Sequence, residues 1–344
     1  MNTTTENISS LTKTLIAGAA LVIIIGGVKS ASSLLSPLLM AIFISIVCTP
    51  PLFMMQKRGV PTIIALIVIL GFVGLCGVAV FSLITSSIDQ FSQSHERYRG
   101  NLALLYTQFS GILAQLGIPL NLDIVFEKIN PNSFLKLFNY LLNALSKLVA
   151  DGMIVFLTVL FILTEVATLP VKLRSALKSP DSSMPHLQTF TRKVIRYLAL
   201  KTATGVLTGA CVALMLWILN IDYIFLWAVL AFALNFIPYV GSILAGLPAV
   251  LLGLIDLGVV TALWATAGYI AINIVVGNII ETRWMGEGLN LSSFVVFVSL
   301  VFWGWVLGPT GMFLSIPLTM LITIGLEGNP ETRRIAGLMQ NNSE

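Results

Sequence analysis

From Thr202 to Leu326 the chain carries only five charged residues, Asp222, Asp256, Glu281, Arg283 and Glu287. An ordinary soluble domain is about one quarter charged, so a stretch this long and this bare belongs in lipid. The five charges cut it into a long uncharged run, Tyr223 to Ile255, an apolar segment, Val259 to Ile280, and a second, longer uncharged run, Gly288 to Leu326. A helix rises about 1.5 Å per residue and a hydrocarbon core is about 30 Å thick, so one span needs about 20 residues. The first run is too long for one span and short for two, which predicts a hairpin that enters the membrane, turns and leaves on the same side. The second fits a hairpin or two spans.

Both runs are broken at their centres, the first at Asn235, Pro238, Gly241 and Ser242, the second at Gly308, Pro309 and Gly311. The breaks resemble each other. When FALNFIPYVGSILAGLP (Phe232 to Pro248) is laid over FWGWVLGPTGMFLSIP (Phe302 to Pro317), one offset aligns Phe232 with Phe302 and Gly241 with Gly311, and brings Pro238 and Pro309, and Pro248 and Pro317, within one position. The bland alternative is coincidence, since Gly and Pro are common in membrane helices. A helix breaker at membrane depth frees backbone groups that lipid cannot satisfy, so they must face protein or a watery cavity, as in transporter substrate sites. If the first run starts outside at Asp222 it returns outside at Asp256; Val259 to Ile280 then crosses inward and the second run starts and ends inside. Two opposed hairpins would approach each other at the midplane.

Elsewhere the chain is of the same kind, with 57% hydrophobic and 10% charged residues overall. Spans are expected at Leu11 to Val28, Ala31 to Phe53, Thr62 to Ile84, Lys147 to Leu169 and Thr202 to Leu219. The fold class is therefore all-α, a polytopic membrane protein of about eight membrane helices. The apolar run from Leu15 to Val28 resembles a signal peptide, with Lys13 ahead of it and small residues around Ala31, but Ala31 leads at once into another apolar run, so it is read as an uncleaved span. Lys57 and Arg58 mark one loop as cytoplasmic, and Val171 to Lys201 carries seven basic residues against Asp181 alone. Thr85 to Ser146 is then external and both termini are cytoplasmic. Within that segment Leu102, Leu105, Phe109, Ile112 and Leu116 form a helical stripe, and a second stripe follows from Phe134. The basic segment ends in FTRKVIRYLALK, which suits an interfacial helix on anionic headgroups. The chain divides into N-terminal membrane helices (1–84), an external helical segment (85–146), a fourth membrane helix (147–169), a basic loop with its interfacial helix (170–201), a transport core (202–326) and a tail (327–344).

Polar residues inside apolar runs nominate the site. Tyr269 and Asn273, with Thr266, share one helical face, and Asn278 and Glu281 follow toward the inner end. Any single amide there could instead be interhelical glue. Glu165, in FILTEVATLP, is the carboxylate set well inside an apolar run; it and Glu281 are candidates for ion coupling, with Lys201 or Arg196 as first partners to test for Glu165. Cys48, Cys76 and Cys211 lie in apolar runs, and His95 and His186 stand apart from any Cys, so neither a disulfide framework nor a metal site is expected. No cofactor, nucleotide loop or nucleophile motif is read, which argues against an enzyme. The net charge of +4 is explained by loop asymmetry rather than by nucleic acid.

LNFIPYVGS (Leu234 to Ser242), GNIIETRWMGEGLNLS (Gly277 to Ser292) and VFVSLVFWGWVLGPTGMFLSIPL (Val296 to Leu318) resemble the autoinducer-2 exporter family of bacterial membrane proteins, over nearly the whole chain. Thr282 and Ser293 depart from its usual prolines. The resemblance implies a transporter of the bacterial inner membrane, a homo-oligomer expected as a pentamer, exporting the small polar quorum-sensing signal autoinducer-2. It also admits exchange of Na⁺ or K⁺ for protons, as other members are regarded to do. An envelope scaffold using the external helices is a third possibility.

Overall fold

The computed structural model describes residues 10–115, 152–166, 180–238, 240–285, 291–327 and 332–339. Those residues are helical almost throughout. In order the helices are α1 (Ser10–Ser30), α2 (Ser32–Lys57), α3 (Thr62–Gln93), α4 (His95–Gln115), α5 (Gly152–Glu165), α6 (Pro180–Ile218), α7 (Ile224–Leu234), α8 (Gly241–Leu257), α9 (Val259–Ile272), α10 (Glu281–Met285), α11 (Ser293–Leu307), α12 (Pro309–Glu327) and α13 (Arg333–Met339). A π-helical stretch, Asn273–Ile280, joins α9 to α10. Among the described residues five stretches are long and apolar enough to cross a membrane: Ser32–Lys57, Thr62–Phe91, Thr191–Ile218, Val259–Trp284 and Pro309–Glu327. Large apolar side chains such as Phe72, Trp264 and Phe294 point outward, as they must when the solvent is lipid.

Several expected bounds move. α3 runs past Ile84 to Gln93, and α6 passes through residue 201 without a break, so the basic interfacial helix and the following span are one helix of 39 residues. The segment from 116 to 151, including Leu116 and the stripe from Phe134, lies outside the described residues.

The first broken run is a helical hairpin. α7 has 11 residues, about 16 Å, too short to cross a bilayer, and α8 returns beside it. Its two open ends are held together: Arg97 of α4 donates through Nε to Asp256 Oδ1 at 2.8 Å, makes a second, shorter bond to Asp256 Oδ2, and reaches Asp222 Oδ2 at 3.4 Å. Asn101 and Tyr98 donate to the same two carboxylates. The bonds to Asp256 push the Arg97 guanidinium above its ordinary pKa, so the clasp keeps its charge. Close approach of α6 explains how so short a helix is held. A Cβ on Gly209 would come within 2.9 Å of Ala228 O, and one on Gly205 within 3.0 Å of the Phe232 ring, so this small-xxx-small pair lets the two backbones meet.

The second run is also a hairpin, α11 and α12, but a longer one of about 22 and 28 Å. It points the other way. Its turn lies beside the α1–α2 turn, where Ser36 donates to Leu307 O at 3.2 Å and Lys29 Nζ sits 3.8 Å from the centroid of the Trp305 ring. Its open end meets α13, with Ser292 N donating to Met339 O at 3.0 Å. Buried Ser315, Thr319 and Thr323 return their hydroxyls to the helix, satisfying polar atoms that have no water to turn to.

The opposed hairpins do meet, though not tip to tip. Phe236, in the first turn, stacks on Phe313 at a centroid distance of 4.4 Å, about one turn into α12, while Phe43 of α2 packs edge-on against both. The contact falls one turn into α12 because α11 and α12 are long enough to carry their own turn past that of the first hairpin to the far end of α2. The likeness of the two breaks is structural nonetheless. A Cβ on Gly241 would overlap the carbonyl oxygen of Leu234, and one on Gly311 would overlap that of Trp303, so both turns need a glycine where the second helix starts under the end of the first.

Candidate functional site

The first hairpin, α6 and the π-helical stretch enclose a cleft lined by Thr208 and Val212 of α6, Ala231, Asn235, Ser242 and Ala245 of the hairpin, and Tyr269, Ile272, Asn273 and Gly277. Each polar member arrives there for a local reason. Asn235 closes α7, where the chain must turn because Pro238 cannot donate to a helical ladder. Ser242 is the second residue of α8. Tyr269 and Asn273 are four residues apart on one face, and the Tyr269 ring lies against Gly246, whose missing side chain makes the room: a Cβ there would sit 3.1 Å from the ring. Asn273 opens the π-helical stretch, whose wider turn interrupts the regular ladder; such insertions recur at functional sites. The free space is about 20 Å³, room for one water and less than a solute the size of a sugar needs.

The cleft offers hydrogen bonds rather than charge. The side chains of Thr208, Ser242 and Asn273 have no hydrogen-bond partner among the described residues, and the buried Tyr269 hydroxyl has none either. Of these four only the Tyr269 hydroxyl is buried, and a buried polar atom is nearly always satisfied, by protein, water or ligand; Thr208 and Ser242 are half-buried and Asn273 is exposed. Beyond Asn235 lies a fixed chain of contacts. Asn235 Nδ2 donates to Thr204 Oγ1 at 3.3 Å, Thr204 Oγ1 lies 3.4 Å from Glu281 Oε2, and Lys201 Nζ bonds Glu281 Oε1 at 2.6 Å. Lys201 and Glu281 are both largely buried, with 8% and 14% of their side chains exposed, which explains why neither stands without the other.

Of the residues nominated from sequence, Asn235, Ser242, Tyr269 and Asn273 come together around the cleft. Pro238 and Gly241 shape the turn beneath it, and Glu281 reaches it through Thr204. Asn278 is exposed on the next turn of the π-helical stretch, and Glu165 is exposed near the end of α5; neither lines the cleft. Gly308, Pro309 and Gly311 form the turn of the other hairpin and do not line it either. Lys201 is bonded to Glu281 rather than to Glu165. Reading the sequence alone passes over Thr204, Thr208 and Gly277. A signal is there for the two threonines: Lys201, Thr204 and Thr208 fall at i, i+3 and i+7, a polar stripe on one face at the start of the apolar half of α6. Among the described residues no group of His, Cys, Asp and Glu could hold a metal.

Comparison with known proteins adds to this. Residues 19–328 match the family described as AI-2E family transporter. The chain is 37% identical over 321 residues to the AI-2 transport protein TqsA of Escherichia coli (strain K12), covering 93% of each. It is 36% identical over 340 residues to a Haemophilus influenzae protein named for transport without a substrate, covering 97% of this chain and 98% of that one. A third relative, YhhT of Escherichia coli (strain K12), is 32% identical over 323 residues, covering 93% of this chain and 92% of that one.

Proposed function

Because the chain belongs to the AI-2E transporter family, we propose that it carries a small, polar, uncharged solute across the bacterial inner membrane through the cleft between α6, the first hairpin and the π-helical stretch. Autoinducer-2, for which the Escherichia coli relative is named, is the first solute to try, and export is the direction. The carrying observation is the chemistry of the lining. Asn235, Ser242, Asn273, Thr208 and Tyr269 supply donors and acceptors without net charge, which suits a hydroxyl-rich neutral molecule. Glu281, the carboxylate nearest the cleft, is already engaged by Lys201, and this weighs against cation exchange there.

In this arrangement the end carrying α4 and the open end of the first hairpin faces outward, the open end of the second faces the cytoplasm with both termini, and the chain works as a homo-oligomer. Opposed broken elements of this kind allow alternating access by rocking one against the other. The test is flux in vesicles reconstituted with the full chain, with labelled autoinducer-2, Na⁺ and protons followed side by side. The expected outcome is autoinducer-2 flux that Asn235→Ala and Asn273→Ala each lower at least tenfold at unchanged protein yield. Proton-linked Na⁺ flux without autoinducer-2 movement, or full activity in both variants, would sink the proposal.

A further inference from the structure

Thr204 does not line the cleft, yet it governs what the cleft offers. We propose that Thr204 is a positioning residue that sets the hydrogen-bond polarity of the site, turning Asn235 so that its carbonyl oxygen, an acceptor, is the atom presented to the solute. The proposal deepens the assignment of the cleft as the solute site and rests on it.

A threonine hydroxyl has one hydrogen to give and lone pairs to receive with. The partners of Thr204 on the far side can only accept: the Lys201 backbone carbonyl at 3.2 Å and Glu281 Oε2 at 3.4 Å. A carboxylate has no hydrogen to return, and the Lys201 ammonium stands on its other oxygen at 2.6 Å as the matching cation. The hydroxyl hydrogen of Thr204 is therefore committed away from the cleft. What remains for Asn235 is a lone pair, and only the amide NH₂ can use it, as the 3.3 Å contact from Nδ2 shows. The two faces of an amide are nearly equal in shape and opposite in polarity. Pinning one of the two N–H groups of the amide to Thr204, which is fully buried, draws the nitrogen to that side and leaves the carbonyl oxygen as the free acceptor on a residue that lines the cleft. The solute that fits is one with a hydroxyl to donate at this point; an ether or ketone oxygen there would meet another acceptor. With the hydroxyl removed, the amide can rotate and the discrimination is lost.

Three variants of the full chain test this, two of them in reconstituted vesicles with labelled autoinducer-2 as probe. Thr204→Val keeps the shape and removes the hydroxyl; it is expected to raise KM for autoinducer-2 about tenfold, the scale of one hydrogen bond, with kcat changed less than threefold. Thr204→Ser restores the hydroxyl and is expected to lie within about twofold of the unsubstituted protein. An unchanged KM in Thr204→Val, or a Thr204→Ser defect as large as that of Thr204→Val, overturns the proposal. A second readout needs no solute. The side-chain amide resonance of Asn235 in protein labelled with ¹⁵N-asparagine, assigned by its loss in Asn235→Ala, shifts in Thr204→Val and stays in place in Thr204→Ser; a resonance indifferent to both overturns the relay. If the unsubstituted protein moves no autoinducer-2, the transport assignment fails while the amide resonance still decides the role of Thr204.

Discussion

A lysine and a glutamate buried side by side in an apolar setting are stable only as a pair. Removing one leaves the other charged with no partner, at a cost of about 3–5 kcal/mol, whereas replacing both by apolar groups of similar size can be neutral. Lys201→Met is thus expected to lower the thermal midpoint of the purified protein strongly, and Lys201→Met combined with Glu281→Met to recover most of the loss. If the unsubstituted protein and the single and double variants all melt together, the contact at 2.6 Å contributes nothing to stability. Polar residues are the most legible part of the site, because each stands out where lipid or apolar packing would otherwise be served. Asn235, Ser242, Tyr269 and Asn273 announce themselves in this way. Lys201 does so less, because it closes a basic segment: the sequence singles it out only as a partner for Glu165, and its spacing from Thr204 and Thr208 is what shows that it turns inward.

At the scale of elements, the length of an uncharged run is enough to foresee a hairpin, since Tyr223 to Ile255 is too short to be divided into two spans. The run cannot reveal how deep each hairpin reaches, because depth is set by the partners that cap the turn. For the first turn these are Phe43 and Phe313, and for the second the start of α2 through Ser36. Both turns depend on a glycine lying under a carbonyl. Gly241→Ala and Gly311→Ala are each expected to destabilise the protein by about 2 kcal/mol or more, since a backbone atom cannot step aside as a side chain can. The discriminating measure is thermal melting in detergent, with Gly77→Ala as control, because a Cβ at Gly77 meets nothing within 4 Å. Equal midpoints in all three would show that the turns tolerate a side chain.

For the whole molecule, the two hairpins open toward opposite ends, and the contacts at Arg97 and at Ser36 identify which end is which. The basic-loop asymmetry is the ground on which a side of the membrane is proposed for each end. Single cysteines at Asp222 and Lys57, placed in a background where Cys48, Cys76 and Cys211 are serine, are expected to react with an impermeant thiol reagent from opposite sides of intact cells, Asp222 from outside. Reaction of both from the same side would require the whole arrangement to be redrawn. The all-helical class is legible from composition and run length alone, and charge alone is enough to propose an orientation. The contact between the hairpins is not legible, because Phe236 and Phe313 look like any other aromatic residue in an apolar run.

The π-helical stretch from Asn273 to Ile280 has a consequence for how such a chain can change. Successive residues on a regular helix are turned by about 100°. A π turn holds one more residue than a regular turn, so loss of a single residue in the stretch can be taken up by its return to ordinary helix, leaving Glu281 opposite Lys201 and Thr204. The same loss in the regular turns of α9 ahead of Tyr269 has no such slack there and would turn Tyr269 and Asn273 by that angle. Shortening by one residue is therefore expected to be tolerated in the stretch and not before it.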